Sequence, residues 1–125
     1  MPASKTVLLV EDEMLIAMDM EASLVDLGYD VTIVTDVDAA LAALDSRTYH
    51  LAILDSRLRS GDCEQVTRRL REQGTGFIVC SGSLDMKEFG DVFANVPFLA
   101  KPFTADSLVQ LVTQFRGRAD APAIA

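Results

Sequence analysis

The chain is short of basic residues, cysteine and histidine, and each shortage narrows what it can do. Eleven Lys and Arg stand against 19 Asp and Glu, a net charge of −8 over 125 residues. Nucleic-acid phosphates are bound by clustered cations, so a nucleic-acid surface is not expected. Basic residues gather at Arg68, Arg69 and Arg71, which reads as a solvated helix face, with a docking patch as the alternative. The two cysteines, Cys63 and Cys80, fit neither a metal spacing nor a disulfide framework. Cys80 lies in an apolar run and is expected in the core, whereas Cys63 lies in a polar stretch and reads as an exposed thiol. The lone His50 has no second histidine to share a metal or a triad with, and reads as a residue leading into a strand. Long apolar runs are missing too. Val7–Val10, Leu51–Leu54 and Phe77–Cys80 are far too short to cross a bilayer, and Met1-Pro-Ala-Ser-Lys5 has no stretch of signal-peptide type. The expectation is a soluble, cytoplasmic protein without membrane contact.

What is present is apolar and regularly spaced. Half the residues are hydrophobic, more than a disordered chain carries, and the length suits one domain with a real core. Lys5–Val10 reads as a strand. Ile16, Met20, Leu24 and Leu27 then fall on one helical face, which Gly28 can terminate. Val31–Val34 is a second strand, and Asp36 can cap a helix whose buried stripe is Ala40, Leu41 and Leu44. Leu51–Leu54 is apolar throughout, as a central parallel strand should be. Ser56 to Asp62 reads as a loop, Val66 and Leu70 mark a helix stopping near Gly74, and Phe77–Cys80 is a fourth strand. Residues 83–92 make a weak helix interrupted by Gly90. Phe98–Ala100 is a fifth strand, closed by Lys101-Pro102. Thr104 caps a last helix with Leu108, Leu111, Val112 and Phe115 on one face. The expected unit is a single domain over 1–125, with a core of about 5–116 and a flexible tail over 117–125.

Five strand–helix alternations without a repeat predict an α/β fold: a flavodoxin-like, doubly wound (βα)5 unit with a five-stranded parallel sheet in the order 2-1-3-4-5. Ligands of such sheets bind beyond the carboxyl ends of the strands. Glu11, Asp12 and Glu13 follow the first strand, Asp55 the third, Ser81 the fourth and Lys101 the fifth. Acids brought together repel one another unless a cation joins them, and Mg²⁺ takes one or two carboxylates while leaving room for phosphate oxygens. A carboxylate can itself attack phosphorus, and phosphoryl transfer needs little beyond positioning and charge neutralisation. A lysine and a hydroxyl complete that chemistry.

The runs Val7-Leu-Leu-Val-Glu-Asp-Glu13, Leu51-Ala-Ile-Leu-Asp55, Val79-Cys-Ser-Gly82 and Phe98-Leu-Ala-Lys-Pro-Phe103 resemble the four signature blocks of response regulator receiver domains of two-component signalling, the CheY-like superfamily. The likeness covers residues 5 to about 116. It implies that Asp55 is the phosphoacceptor, that Asp12 binds Mg²⁺ directly and Glu11 holds metal water, and that the backbone carbonyl of Arg57 completes the protein ligands. It further implies that Ser81 hydrogen-bonds the phosphoryl group, that Lys101 pairs with it, and that Phe98 is the aromatic switch residue. The Lys101-Pro102 peptide, commonly cis in the family, is expected to be cis here.

The chain also departs from the family. Arg59 stands where a proline is usual, and the spacing to Gly61 differs. Asp55-Ser-Arg-Leu-Arg-Ser-Gly61 is similar to a subset of stand-alone receivers. Arg57 and Ser83 occupy positions that tune phosphoryl lifetime in the family. Phe98 lacks the hydroxyl of a tyrosine, leaving the switch to packing.

The resemblance implies a phosphorelay protein that takes its phosphoryl group from a sensor histidine kinase or histidine phosphotransferase. Apart from that self-phosphorylation and a slow loss of the group, it would not be an enzyme. The helix over 83–92, the fifth strand and the last helix would form its output face, for a downstream protein partner or for a homodimer. With no DNA-binding segment in view, output would run through a protein, or the chain would serve as a phosphate sink or belong to a longer protein. Rival readings fare worse. A haloacid-dehalogenase-like hydrolase needs a second acid where Arg57 stands, and a flavin module needs a phosphate cradle where Glu11 and Asp12 stand. The alternative left open is a receiver-fold binding module that works without phosphorylation.

Overall fold

The computed structural model describes residues 5–55, 57–58, 61–62, 64–81, 98–100 and 103–116. Five parallel strands form its centre: β1 (Lys5–Val10), β2 (Tyr29–Val34), β3 (Leu51–Asp55), β6 (Phe77–Ser81) and β7 (Phe98–Ala100). A separate antiparallel pair, β4 (Arg57–Leu58) and β5 (Gly61–Asp62), lies between β3 and the next helix. The helices are α1 (Met14–Asp26), α2 (Val37–Ser46), α3 (Glu64–Gln73) and α4 (Ala105–Arg116).

The main sheet runs β2-β1-β3-β6-β7, which is the expected 2-1-3-4-5 once the short β4–β5 pair is set aside. β1 and β3 are central because they are apolar on both faces. Val7 to Val10 and Leu51 to Leu54 are all buried. Alternation along each strand then divides the core in two. Leu8, Val10, Ala52, Leu54, Phe77 and Val79 pack with α2 and α3. Val7, Leu9, Ile53, Ile78, Cys80 and Leu99 pack with α1 and α4. The chain leaves β1 toward β2 on one side and reaches β3 on the other. The gap beyond the carboxyl ends of β1 and β3 is therefore the topological switch point.

Local chemistry sets the helix ends. Asp36 is the N-cap of α2, its Oδ1 accepting from the Ala39 N–H at 2.7 Å. Thr104 Oγ1 accepts from the Ser107 N–H at 3.0 Å, while Ser107 Oγ accepts from the Thr104 N–H at 3.0 Å. This reciprocal pair satisfies two donors that a helix start would otherwise leave exposed. Gly28 and Gly74 end α1 and α3 at φ 94° and 72°, backbone angles that side chains disfavour.

Two expectations need correction. The stretch from Ser56 to Asp62 is not all loop, because Arg57 pairs with Asp62 and Leu58 with Gly61. Backbone pairing between the two arms uses polar groups that an open loop would leave to solvent. In α1 the core-facing residues are Ala17, Met20 and Leu24, whereas Ile16 is exposed. The small Ala17 lets the helix lie close to the sheet, and this rotates Ile16 toward its rim. The helix expected over 83–92, Cys63, the Lys101-Pro102 peptide and the tail over 117–125 lie outside the described residues.

His50 leads into β3 as expected, and it also ties β3 to β1. Its Nδ1 accepts from the Thr6 N–H at 3.1 Å, and its own N–H reaches Thr6 O at 3.0 Å. Of the arginines of α3, Arg68 is exposed as expected while Arg69 and Arg71 are half-buried, and ion pairs join Arg68 to Glu64 and Arg69 to Asp45 and Glu72. Arg71 lies over the Phe77 ring, 5.2–5.4 Å being the range of this contact and of Arg47 over Tyr49. No helix among the described residues is long and apolar enough to cross a membrane.

Candidate functional site

Parallel register brings the acids together. Val10 pairs with Leu54 as the last rung between β1 and β3. Glu11 follows Val10 and Asp55 follows Leu54, so both leave the sheet at the same edge. Glu11 is fixed there by its own backbone, whose N–H donates to Val34 O of β2 at 3.0 Å. Asp55 belongs to β3 and stands opposite Cys80 of β6. Asp12 comes next, in the short connection between β1 and α1.

Glu11, Asp12 and Asp55 can each place a carboxylate oxygen within 4.8 Å of the other two. Glu11 is 2% exposed and Asp55 7%, while Asp12 is half-buried. Two buried acids and a third at the mouth form a concentrated negative site with oxygen donors alone. Hard divalent cations of the Mg²⁺ and Ca²⁺ type take such ligands, whereas thiolate and imidazole donors would favour softer metals. The set thus fits the metal that the sequence called for. Glu13 does not join it. It is exposed and occupies the N-cap position of α1.

The remaining candidates are placed to different extents. Ser81 ends β6, the strand beside β3, and its backbone pairs with Ala100 of β7. Ala100 immediately precedes Lys101 in the sequence, and Lys101 itself lies outside the described residues. Phe98 opens β7 opposite Val79, and Arg57 begins β4 two residues after Asp55. Cys80 stands beside Asp55 across β3 and β6. Its buried position was legible from the apolar run, but the pairing across strands depends on register, which one strand's sequence does not carry.

Comparison with known proteins gives a consistent result. A family model described as the response regulator receiver domain matches residues 7–113. Among curated proteins, the chain is 33% identical over 106 residues to the transcriptional regulatory protein DltR of Streptococcus agalactiae serotype III, strain NEM316. That match takes in 82% of this chain and 47% of DltR, so the chain spans about half the length of that relative. Among solved structures, a response regulator receiver protein from Sinorhizobium medicae WSM419 superposes with a TM-score of 0.81 at 29% identity, covering 94% of this chain and 98% of that one. The receiver domain of the sensor histidine kinase PA1611 from Pseudomonas aeruginosa PAO1 superposes with a TM-score of 0.79 at 28% identity, over 92% and 99% of the two chains. That structure has a magnesium ion coordinated in its active site cleft.

Proposed function

Given that the chain belongs to the response regulator receiver domain family of two-component signalling, we propose that Asp55 is its phosphoacceptor and that the chain is a switch set by a phosphohistidine donor. The observation that carries this reading is the convergence of Glu11, Asp12 and Asp55 at the switch point of the sheet.

In this reading one carboxylate oxygen of Asp55 attacks the phosphorus of a phosphohistidine on a sensor kinase or phosphotransfer protein. The new O–P bond forms as the P–N bond breaks, and the departing imidazole takes up a proton from solvent. Burial of Asp55 keeps competing water from the acyl phosphate that results, and its place at a strand end fixes the line of attack. Glu11, Asp12, Asp55 and the backbone carbonyl of Arg57 would hold Mg²⁺. When bound, the ion offsets the charge of these acids and of the phosphoryl oxygens. Ser81 donates its hydroxyl to a phosphoryl oxygen and Lys101 pairs with another. The strand order β3-β6-β7, with Ser81 opposite the residue preceding Lys101, supports both roles.

Drawing Ser81 and Lys101 toward the new charge moves the segments that follow β6 and β7. Phe98 then repacks, and the face made by 83–92, β7 and α4 changes its preference for a downstream protein or for a second copy. The receiver unit in this reading runs from about residue 5 to 116.

The test is direct. The protein is incubated with acetyl phosphate and Mg²⁺ and its intact mass is measured. A gain of one phosphoryl group in the parent, lost in Asp55→Ala, is expected. An unchanged parent mass would leave the phosphorylation-independent binding module as the function.

A further inference from the structure

Helices α1 and α4 lie side by side on the sheet and leave a gap between them. Ile16, Asp19, Met20 and Ser23 fall at i, i+3, i+4 and i+7, which puts them on one side of α1. With about 100° of rotation per residue, this side adjoins the one that buries Ala17 and Leu24 against the sheet. Phe103 and Leu108 stand across from it, on the approach to α4 and in its first turn, and a groove of ≈600 Å³ lies between. Its floor is Met20 and Leu108, both buried, and its walls are Ile16 and the half-buried Phe103. The small Ser23 leaves the volume open, because a larger side chain there would fill it.

Charge identifies what the groove suits. Asp19 stands exposed at its rim, and its carboxylate has no cationic partner among the described residues. Helix α1 contains no Lys or Arg that could supply one. The Ser23 hydroxyl, one turn on, lies 3.5 Å from the Asp19 backbone carbonyl and keeps its own oxygen free to accept. Small-molecule sites are mostly apolar clefts of about 300–1,000 Å³ with a few polar groups that fix orientation, and this groove matches in size and makeup. The carboxylate repels an anion, is wasted on a neutral hydrocarbon, and pairs with an ammonium. We propose that the groove between α1 and α4 binds a small amphiphilic ammonium compound, its apolar body between Ile16 and Phe103 and its ammonium on the Asp19 carboxylate.

The lining spans about 11 Å along α1, from Ile16 to Ser23, the length of one compact molecule. Met20 suits such a floor, since its flexible thioether adapts to ligands of different outline. The site does not depend on Asp55 chemistry, and its test is binding alone. The probe is phenylbutylammonium. Phenylbutanol is the neutral control of the same outline, and phenylvalerate the anionic one. Each is titrated into the ¹⁵N-labelled full chain while amide shifts are followed.

Phenylbutylammonium is expected to shift amides of residues 16–23 and 103–108 and to bind more tightly than phenylbutanol, with phenylvalerate weakest. Asp19→Asn should weaken the ammonium about fivefold, the upper end for an exposed ion pair, and leave phenylbutanol unchanged. Ser23→Leu should abolish the shifts from both. That variant separates docking from simple attraction, since it fills the groove and leaves the net charge of −8 untouched. A chain that merely gathers cations would hold the ammonium as well after Ser23→Leu as before. Retained binding in Ser23→Leu therefore overturns the proposal, and so does an unchanged ammonium affinity in Asp19→Asn. Equal affinities for the three probes, or no shifts at all, overturn it too. Shifts centred on Glu11, Asp12 and Asp55 would make the ammonium a stand-in for a metal ion and have the same result. Circular dichroism checks that both variants are folded. Acetyl phosphate labelling of the parent reports on Asp55 separately, so failure of one reading leaves the other measurable.

Discussion

Glu11 and Asp55 are buried neighbours at the edge of the sheet, each the next residue beyond the Val10–Leu54 rung that joins β1 to β3. Two like charges held this way oppose folding unless something offsets them, and the strand register leaves neither free to move away. Three carboxylates gathered at this rim make a demand for positive charge that a divalent cation can meet.

That demand predicts a response to divalent metal. Mg²⁺ is expected to raise the melting temperature of the parent, and Asp12→Ala should lose both this rise and Mg²⁺-dependent labelling. In EDTA, Asp55→Asn should be more stable than the parent, since it removes one of two buried like charges. A gain of roughly 1 kcal/mol corresponds to several degrees for a domain of this size. Thermal scans with and without Mg²⁺ check both. An Asp12→Ala protein that labels as well as the parent would refute the metal assignment.

The cap on α2 makes a prediction independent of the site. Asp36 Oδ1 meets the Ala39 N–H at 2.7 Å, and the helix it starts buries Val37, Ala40 and Leu44. Asp36→Ala should cost about 1 kcal/mol in urea denaturation, the usual loss of an N-cap, while labelling of Asp55 stays intact. A loss of labelling in the folded variant would mean that α2 reaches the site in a way the fold does not show.

The pairing of His50 with Thr6 predicts another stability effect far from the phosphoryl chemistry. A backbone N–H can only donate, so Nδ1 of His50 must carry no proton while it accepts from Thr6. His50→Ala removes that acceptor at the amino end of the central strand pair and should cost on the order of 1–2 kcal/mol. The tautomer itself is open to measurement, because ¹⁵N shifts of the ring should place the proton on Nε2. A proton found on Nδ1 would contradict the pairing.

The strand order and the acidic site were legible because they rest on short, unambiguous signals. A fully apolar Leu51–Leu54 run has to be central, and an acid following it has to lie at the sheet's carboxyl edge. The Asp36 and Thr104 caps were legible for the same reason, each being a local contact within three residues. What the sequence could not show depends on relations between segments. The β4–β5 pairing arises from backbone groups that any side chains can accompany. Which side of α1 meets the sheet was hidden because Met14, Leu15, Met18 and Val25 form a second apolar face, exposed in the fold, and periodicity alone does not choose between the two.

That ambiguity can be settled at two adjacent positions. The sequence put Ile16 in the core stripe, whereas the fold buries Ala17 completely and leaves Ile16 at the edge of the groove. Ile16→Ser should therefore change stability by less than about 1 kcal/mol, as expected of an exposed site. Ala17→Leu adds three heavy atoms where the helix lies against Val7, Leu9 and Ile53, and should cost about 1–3 kcal/mol through overpacking. Urea midpoints of the two variants decide it. If Ile16→Ser proves the more damaging, α1 is rotated toward the face the sequence suggested, and Ile16 would not wall the groove.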